Sequence, residues 1–90
     1  MRTKYDGVVY DTKKAITLTD TIRYNQKEAC TTWEGKLYKT PRSGRYFVAG
    51  KGGSMTVFAG KEKIIRLSEK KAKAWVLEFF SEGYVTEIFN

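Results

Sequence analysis

Histidine is absent from this 90-residue chain, which removes the usual general base near neutral pH and the commonest metal ligand. Cysteine occurs once, at Cys30. A single thiol forms no intramolecular disulfide and suits a reducing compartment. Without histidine it completes neither a papain-like pair nor a zinc set, so Cys30 is expected as a small core residue. Proline also occurs once, at Pro41, inside a turn signal. No apolar run approaches the ~20 residues that cross a bilayer, and Met1 is followed by a charged, tyrosine-containing start rather than an apolar secretion signal. These absences predict a non-catalytic, soluble cytoplasmic protein with no metal, no cofactor and no membrane contact.

What the chain does have is positive charge, gathered in one stretch. Between Lys36 and Lys73 there are eleven Lys/Arg against two acidic residues, Glu62 and Glu69, whereas the first 35 residues are nearly balanced and the last 17 carry three acidic residues and no basic one. Clustered cations repel one another, a cost that an anionic partner relieves. At this length one domain, residues 1–90, holds one small core, and thirteen aromatic residues are ample to fill it.

The patterning predicts an α+β fold: an antiparallel β-meander followed by one C-terminal amphipathic helix and a short closing strand. Gly7 to Tyr10 is β-prone and ends at an Asp11-Thr12 turn. From Ile16 to Tyr24 apolar residues alternate with polar ones, Asp20 being the one break, so a half-buried strand is expected. Cys30 to Thr40, Arg45 to Gly50 and Met55 to Ala59 read as hairpin-linked strands, separated by Pro41-Arg42-Ser43-Gly44 and Lys51-Gly52-Gly53-Ser54, with Lys63 to Leu67 a further extended piece. Gly50-Lys51-Gly52-Gly53-Ser54 lacks phosphate-loop spacing and precedes a strand, so it is expected as a hairpin turn whose glycines supply positive φ. Ser68 to Phe80 reads as the helix, with Ser68 its N-cap and Ala72, Trp75, Val76, Phe79 and Phe80 its buried stripe. Tyr84 to Phe89 reads as the closing strand, which could pair with a second copy to give a homodimer.

The candidate site is a basic, aromatic sheet extended by the helix start. Its cations are Lys36, Lys39, Arg42, Arg45, Lys51, Lys70, Lys71 and Lys73, and Tyr38, Tyr46 and Phe47 are candidate stacking rings. Alternation puts Tyr46 and Val48 on one face of their strand and Arg45, Phe47 and Ala49 on the other. One face packs on the helix. The other is expected to present rings and cations together, the arrangement by which sheets hold phosphates and stack on bases.

Several runs carry a resemblance. Trp33 to Phe47 (Trp-Glu-Gly-Lys-Leu-Tyr-Lys-Thr-Pro-Arg-Ser-Gly-Arg-Tyr-Phe), Gly50 to Thr56, Tyr10 to Ala15 and Leu67 to Trp75 together resemble a pattern found in small uncharacterised bacterial and phage- or plasmid-borne proteins, L-Y-x-T-x-x-G-x-Y-F…G-x-G-G-x-M. This chain is richer in Lys/Arg than that pattern and lengthens the first turn by Ser43. The resemblance implies a mobile-element origin, and with it a small protein that blocks or modulates nucleic-acid-handling machinery, an anti-defence inhibitor of the anti-CRISPR kind. Its partner would be nucleic acid or the acidic surface of a nucleoprotein complex. The alternative is a DNA-binding accessory factor that reads DNA with the basic aromatic sheet, with Arg42 and Arg45 as the discriminating residues.

Overall fold

The structure is a computed structural model that describes residues 1–24 and 27–89. It opens with a tight hairpin of β1 (Arg2–Tyr5) and β2 (Val8–Asp11). The turn between them is Asp6-Gly7, with φ of 53° and 80°, the paired positive angles that a two-residue hairpin turn needs and that Asp-Gly tolerates best. Asp11 closes the segment, its carboxylate accepting the Lys13 N–H at 2.9 Å.

Where one strand is expected from Ile16 to Tyr24 there are two short ones, β3 (Ile16–Thr17) and β4 (Ile22–Tyr24), both pairing with β5 (Trp33–Lys39). The break falls around Asp20. There the buried Thr19 hydroxyl takes the place of a strand partner and accepts the Leu37 N–H at 3.1 Å. A short 3-10 turn, Ala29–Thr31, leads into β5.

The meander of β5, β6 (Tyr46–Gly52) and β7 (Glu62–Leu67) is antiparallel, with Leu37 opposite Val48 and Val48 opposite Ile65. The turn from β5 to β6 is held by Thr40, whose buried hydroxyl accepts the Arg45 N–H at 2.8 Å and bonds the Ser43 hydroxyl at 2.6 Å. The glycine-rich segment is not the expected hairpin turn. Gly50 and Gly52 lie within β6, and the connection to β7 is a compact loop over residues 53–61, tied by Gly60 N–H to the Gly53 carbonyl at 3.0 Å. Met55 to Ala59 is correspondingly not a strand: its turns leave Met55 and Val57 exposed and drive Phe58 into the core. The glycines serve close approach instead of positive φ. A Cβ on Gly50 would sit on the Glu34 carbonyl, and one on Gly53 would sit on the backbone of Ala29 and Cys30.

Helix α1 (Glu69–Phe79) starts as expected, with the Ser68 hydroxyl accepting the Lys71 N–H at 3.2 Å, and buries Ala72 and Val76. The expected closing strand is a helix: α2 spans Glu82–Phe89, so among the described residues the chain ends in two helices and no closing strand follows them. The β-prone composition of Tyr84 to Phe89 is misleading because its apolar residues recur at helical spacing. Val85, Ile88 and Phe89 share one face of α2 and pack on the core, with the Phe89 and Tyr46 rings 5.4 Å apart.

Both faces of the sheet are covered. On one, Leu37, Tyr46, Val48 and Phe58 pack with Ala72 and Val76 under the helices. On the other, Phe47 and Ala49 are sealed by Tyr10 of the hairpin. Leu37, Phe47, Phe58 and Val76 are fully buried, each side chain stabilising the fold by ~1.5–3 kcal/mol.

Candidate anion-binding surface

The sheet's covering decides what its rings can do. Phe47 is 0% exposed, with Tyr38 stacked on it at 5.2 Å and 13° and the Tyr10 ring edge-on at 5.4 Å. Tyr46 is buried between Lys39 and Phe89. Of the three candidate stacking rings, two are core residues and the third, Tyr38, is half-buried against the core. Burial also pushes the Tyr38 hydroxyl above its ordinary pKa of 10.0, because a phenolate there would lose hydration.

The eight candidate cations do not form one patch. Lys36 and Lys51 stand on the hairpin-side face and line one cleft with Met1, Lys36 opposite Ala49 and Lys51 in a cross-strand ladder of alternating charge. There the Arg23 guanidinium meets Glu34 at 2.9 Å, Lys51 meets the other oxygen of Glu34 at 3.5 Å, and Glu62 lies opposite Lys51. The Arg23 hydrogen bond, helped by the charges of Arg23 and Lys51 and opposed by partial burial, holds the Glu34 carboxyl below its ordinary 4.5. Lys51 is therefore already answered by a carboxylate.

Arg42 projects from the exposed turn into a different cleft of about 560 Å³, shared with Arg2 and Lys14 of the N-terminal segment. The sequence reading missed Arg2 and Lys14, since they sit in a stretch whose summed charge is nearly zero. Only the fold shows them beside Arg42.

The third group is the one the fold assembles best. Lys39, Arg45, Tyr46, Ser68 and Glu69 line a cleft of about 330 Å³ at the start of α1. Lys39 Nζ lies 5.5 Å from the Tyr46 ring centre, Tyr46 lies against Phe89, and Lys73 Nζ lies 5.8 Å from the Phe89 ring centre. Two touching rings thus each hold one lysine head through its apolar stem and their electron-rich faces. Lys70 is three residues before Lys73 on an exposed stretch of the helix, and Lys71 gives its N–H to the cap. Among the described residues the ion pairs are those of Arg23 and Lys51 with Glu34, so Lys39, Arg45 and Lys73 make no ion pair, although Glu69 lines the same cleft as Lys39 and Arg45.

No family model, no curated protein and no solved structure matches this chain. Cys30 is half-buried beside Glu28, its sulfur 3.5 Å from the carboxylate, and is not the core residue the sequence suggests. No helix of the structure is long and apolar enough to cross a membrane.

Proposed function

We propose that this chain is a non-catalytic binding protein that engages the phosphate backbone of a nucleic acid, or of a nucleoprotein complex, and thereby blocks nucleic-acid-handling machinery. The observation that carries the reading is the cleft at the first turn of α1, lined by Lys39 and Arg45 with neither in an ion pair although Glu69 lines it too, and with Lys73 over the adjoining Phe89 ring. The dipole of α1 adds positive potential at the same place. Covered sheet faces favour phosphate contact over base stacking, so the binding would depend on charge and hardly on sequence. The mobile-element resemblance and the anti-defence role it implies belong to the same proposal. The alternative, a sheet that enters the major groove, has less support, because Phe47 and Tyr46 are enclosed and Arg42 and Arg45 face different clefts.

The test is a titration against double-stranded DNA, single-stranded DNA and RNA at several salt concentrations. Log K should fall linearly with log salt, and Lys39→Gln with Arg45→Gln should lower the slope on duplex DNA by about 2 while leaving the fold intact. Absence of binding to all three polymers at low salt, or a slope the double variant does not change, overturns the proposal.

A further inference from the structure

Strand β7 is an edge of the sheet: among the described residues it pairs with β6 alone, so alternate N–H and C=O groups along its other side have no strand partner. Directly beside that edge, on the helix side, lies an apolar cavity of about 420 Å³. Its floor is Val48, Phe58 and Ile65, and Trp33, Trp75 and Phe79 wall it. Its lip is Met55 and Val57, which are 74% and 61% exposed. Ile65 and Leu67 belong both to the open edge and to the cavity. An exposed apolar lip around an aromatic-walled hollow is the form of a recognition pocket.

The charges around the edge select what can enter. Lys61, Lys63 and Arg66 are exposed along or beside β7, against Glu62 alone. Lys63 Nζ reaches the Val57 carbonyl at 3.4 Å, at the lip itself, and Arg66 lies over the Tyr5 ring on the opposite face. A second copy pairing through its own β7 would bring two such basic runs together and be repelled. An acidic segment would be attracted. We propose that β7 accepts, as an added strand, an extended acidic segment of another protein that places a large apolar side chain in the cavity between Trp75, Phe79 and Met55. Backbone pairing would supply affinity and the cavity would select the alternate side chain, the division of labour in β-strand addition. This surface meets the Lys39–Arg45 cleft at Leu67, which lines both, and shares no other lining residue with it, so its occupation does not require phosphate binding there.

The probe is a blocked heptapeptide in which glutamates alternate with valine, phenylalanine and valine, titrated by fluorescence anisotropy and by the emission of Trp33 and Trp75. Binding should shift the emission and weaken with salt. Val57→Glu, at an exposed position that the fold tolerates, should weaken it at least about tenfold, as should N-methylation of the peptide amides that face β7, whereas Leu77→Glu on the exposed side of α1 should leave it unchanged. Equal binding of the N-methylated and parent peptides would overturn strand addition. So would absence of binding at about 1 mM peptide in low salt, the result expected if the edge lysines only guard against aggregation. A dimer of the free protein that Val57→Glu dissociates would overturn the choice of occupant.

Discussion

Replacing Phe47 by alanine separates a core ring from a binding ring. The side chain is fully enclosed, stacked by Tyr38 at 5.2 Å and met edge-on by Tyr10 at 5.4 Å. Truncating a buried phenylalanine costs about 3–5 kcal/mol, the lost ring contacts included. A chain of 90 residues has a total stability of roughly 5–13 kcal/mol, so the variant should stand near its folding threshold. In urea, with a slope of about 1 kcal/mol per molar for so small a domain, the midpoint should drop by about 3 M or more. Phe47→Leu, which keeps most of the volume, should lose less than about 1.5 kcal/mol and stay folded for binding work. Tryptophan fluorescence during urea unfolding reads the first quantity, and nucleic-acid titration of Phe47→Leu reads the second. If Phe47 were a stacking platform, the alanine variant would keep its midpoint and affinity would fall by about 1–3 kcal/mol. An unchanged midpoint would refute the two-sided core.

Thr19→Val should cost about 1–3 kcal/mol in the same unfolding assay, because it leaves the buried Leu37 N–H without an acceptor, while Thr86→Val on exposed α2 should change stability by less than about 0.5 kcal/mol. Gly50→Ala should abolish soluble folded protein by circular dichroism, since the new methyl meets the backbone of Glu34 and Gly35, which cannot yield without parting β5 from β6. Glu34 has its pKa lowered by folding, so it favours the fold above its ordinary value of 4.5 and that contribution is lost as pH falls through its lower folded value. Glu34→Gln should therefore flatten the fall in stability below pH 4.5, and an unaltered acid limb in denaturant titrations would contradict the Arg23 and Lys51 contacts.

The parts of this fold that the sequence announces are those where local chemistry and tertiary packing agree. The strand around Val48 is a short apolar run bounded by turn residues, as a strand buried on both faces should be, and Ser68 followed by Ala72 and Val76 marks α1 from its cap to its buried stripe. Residues Tyr84 to Phe89 are a conflict: β-branched and aromatic side chains suggest extension, yet Val85, Ile88 and Phe89 match a helix, and packing decides. The hairpin at Asp6-Gly7 is absent from the sequence analysis: its first strand, Arg2 to Tyr5, is exposed and charged, and periodicity does not detect it. That omission carries into the site. Without the hairpin the second face of the sheet looks open, and Tyr38 and Phe47 look like binding rings. Summed charge along the chain likewise finds the basic stretch but not its division into three clefts, which depends on which side of a strand each lysine leaves.

Tyr46 and Phe47 are neighbours in the chain, yet one is covered by Phe89 and the other by Tyr10, from segments on either side of the whole meander. During synthesis the two halves of the core therefore mature at different times. The half under the hairpin can close once β6 has emerged, because Tyr10, Tyr38 and Phe47 are by then all outside the ribosome. The half under the helices stays bare until α1 follows and is finished only by α2, leaving Leu37, Val48 and Phe58 exposed on a nascent sheet whose edge is also unprotected. That interval is when a holding chaperone would find its target, and it ends with the docking of Phe89.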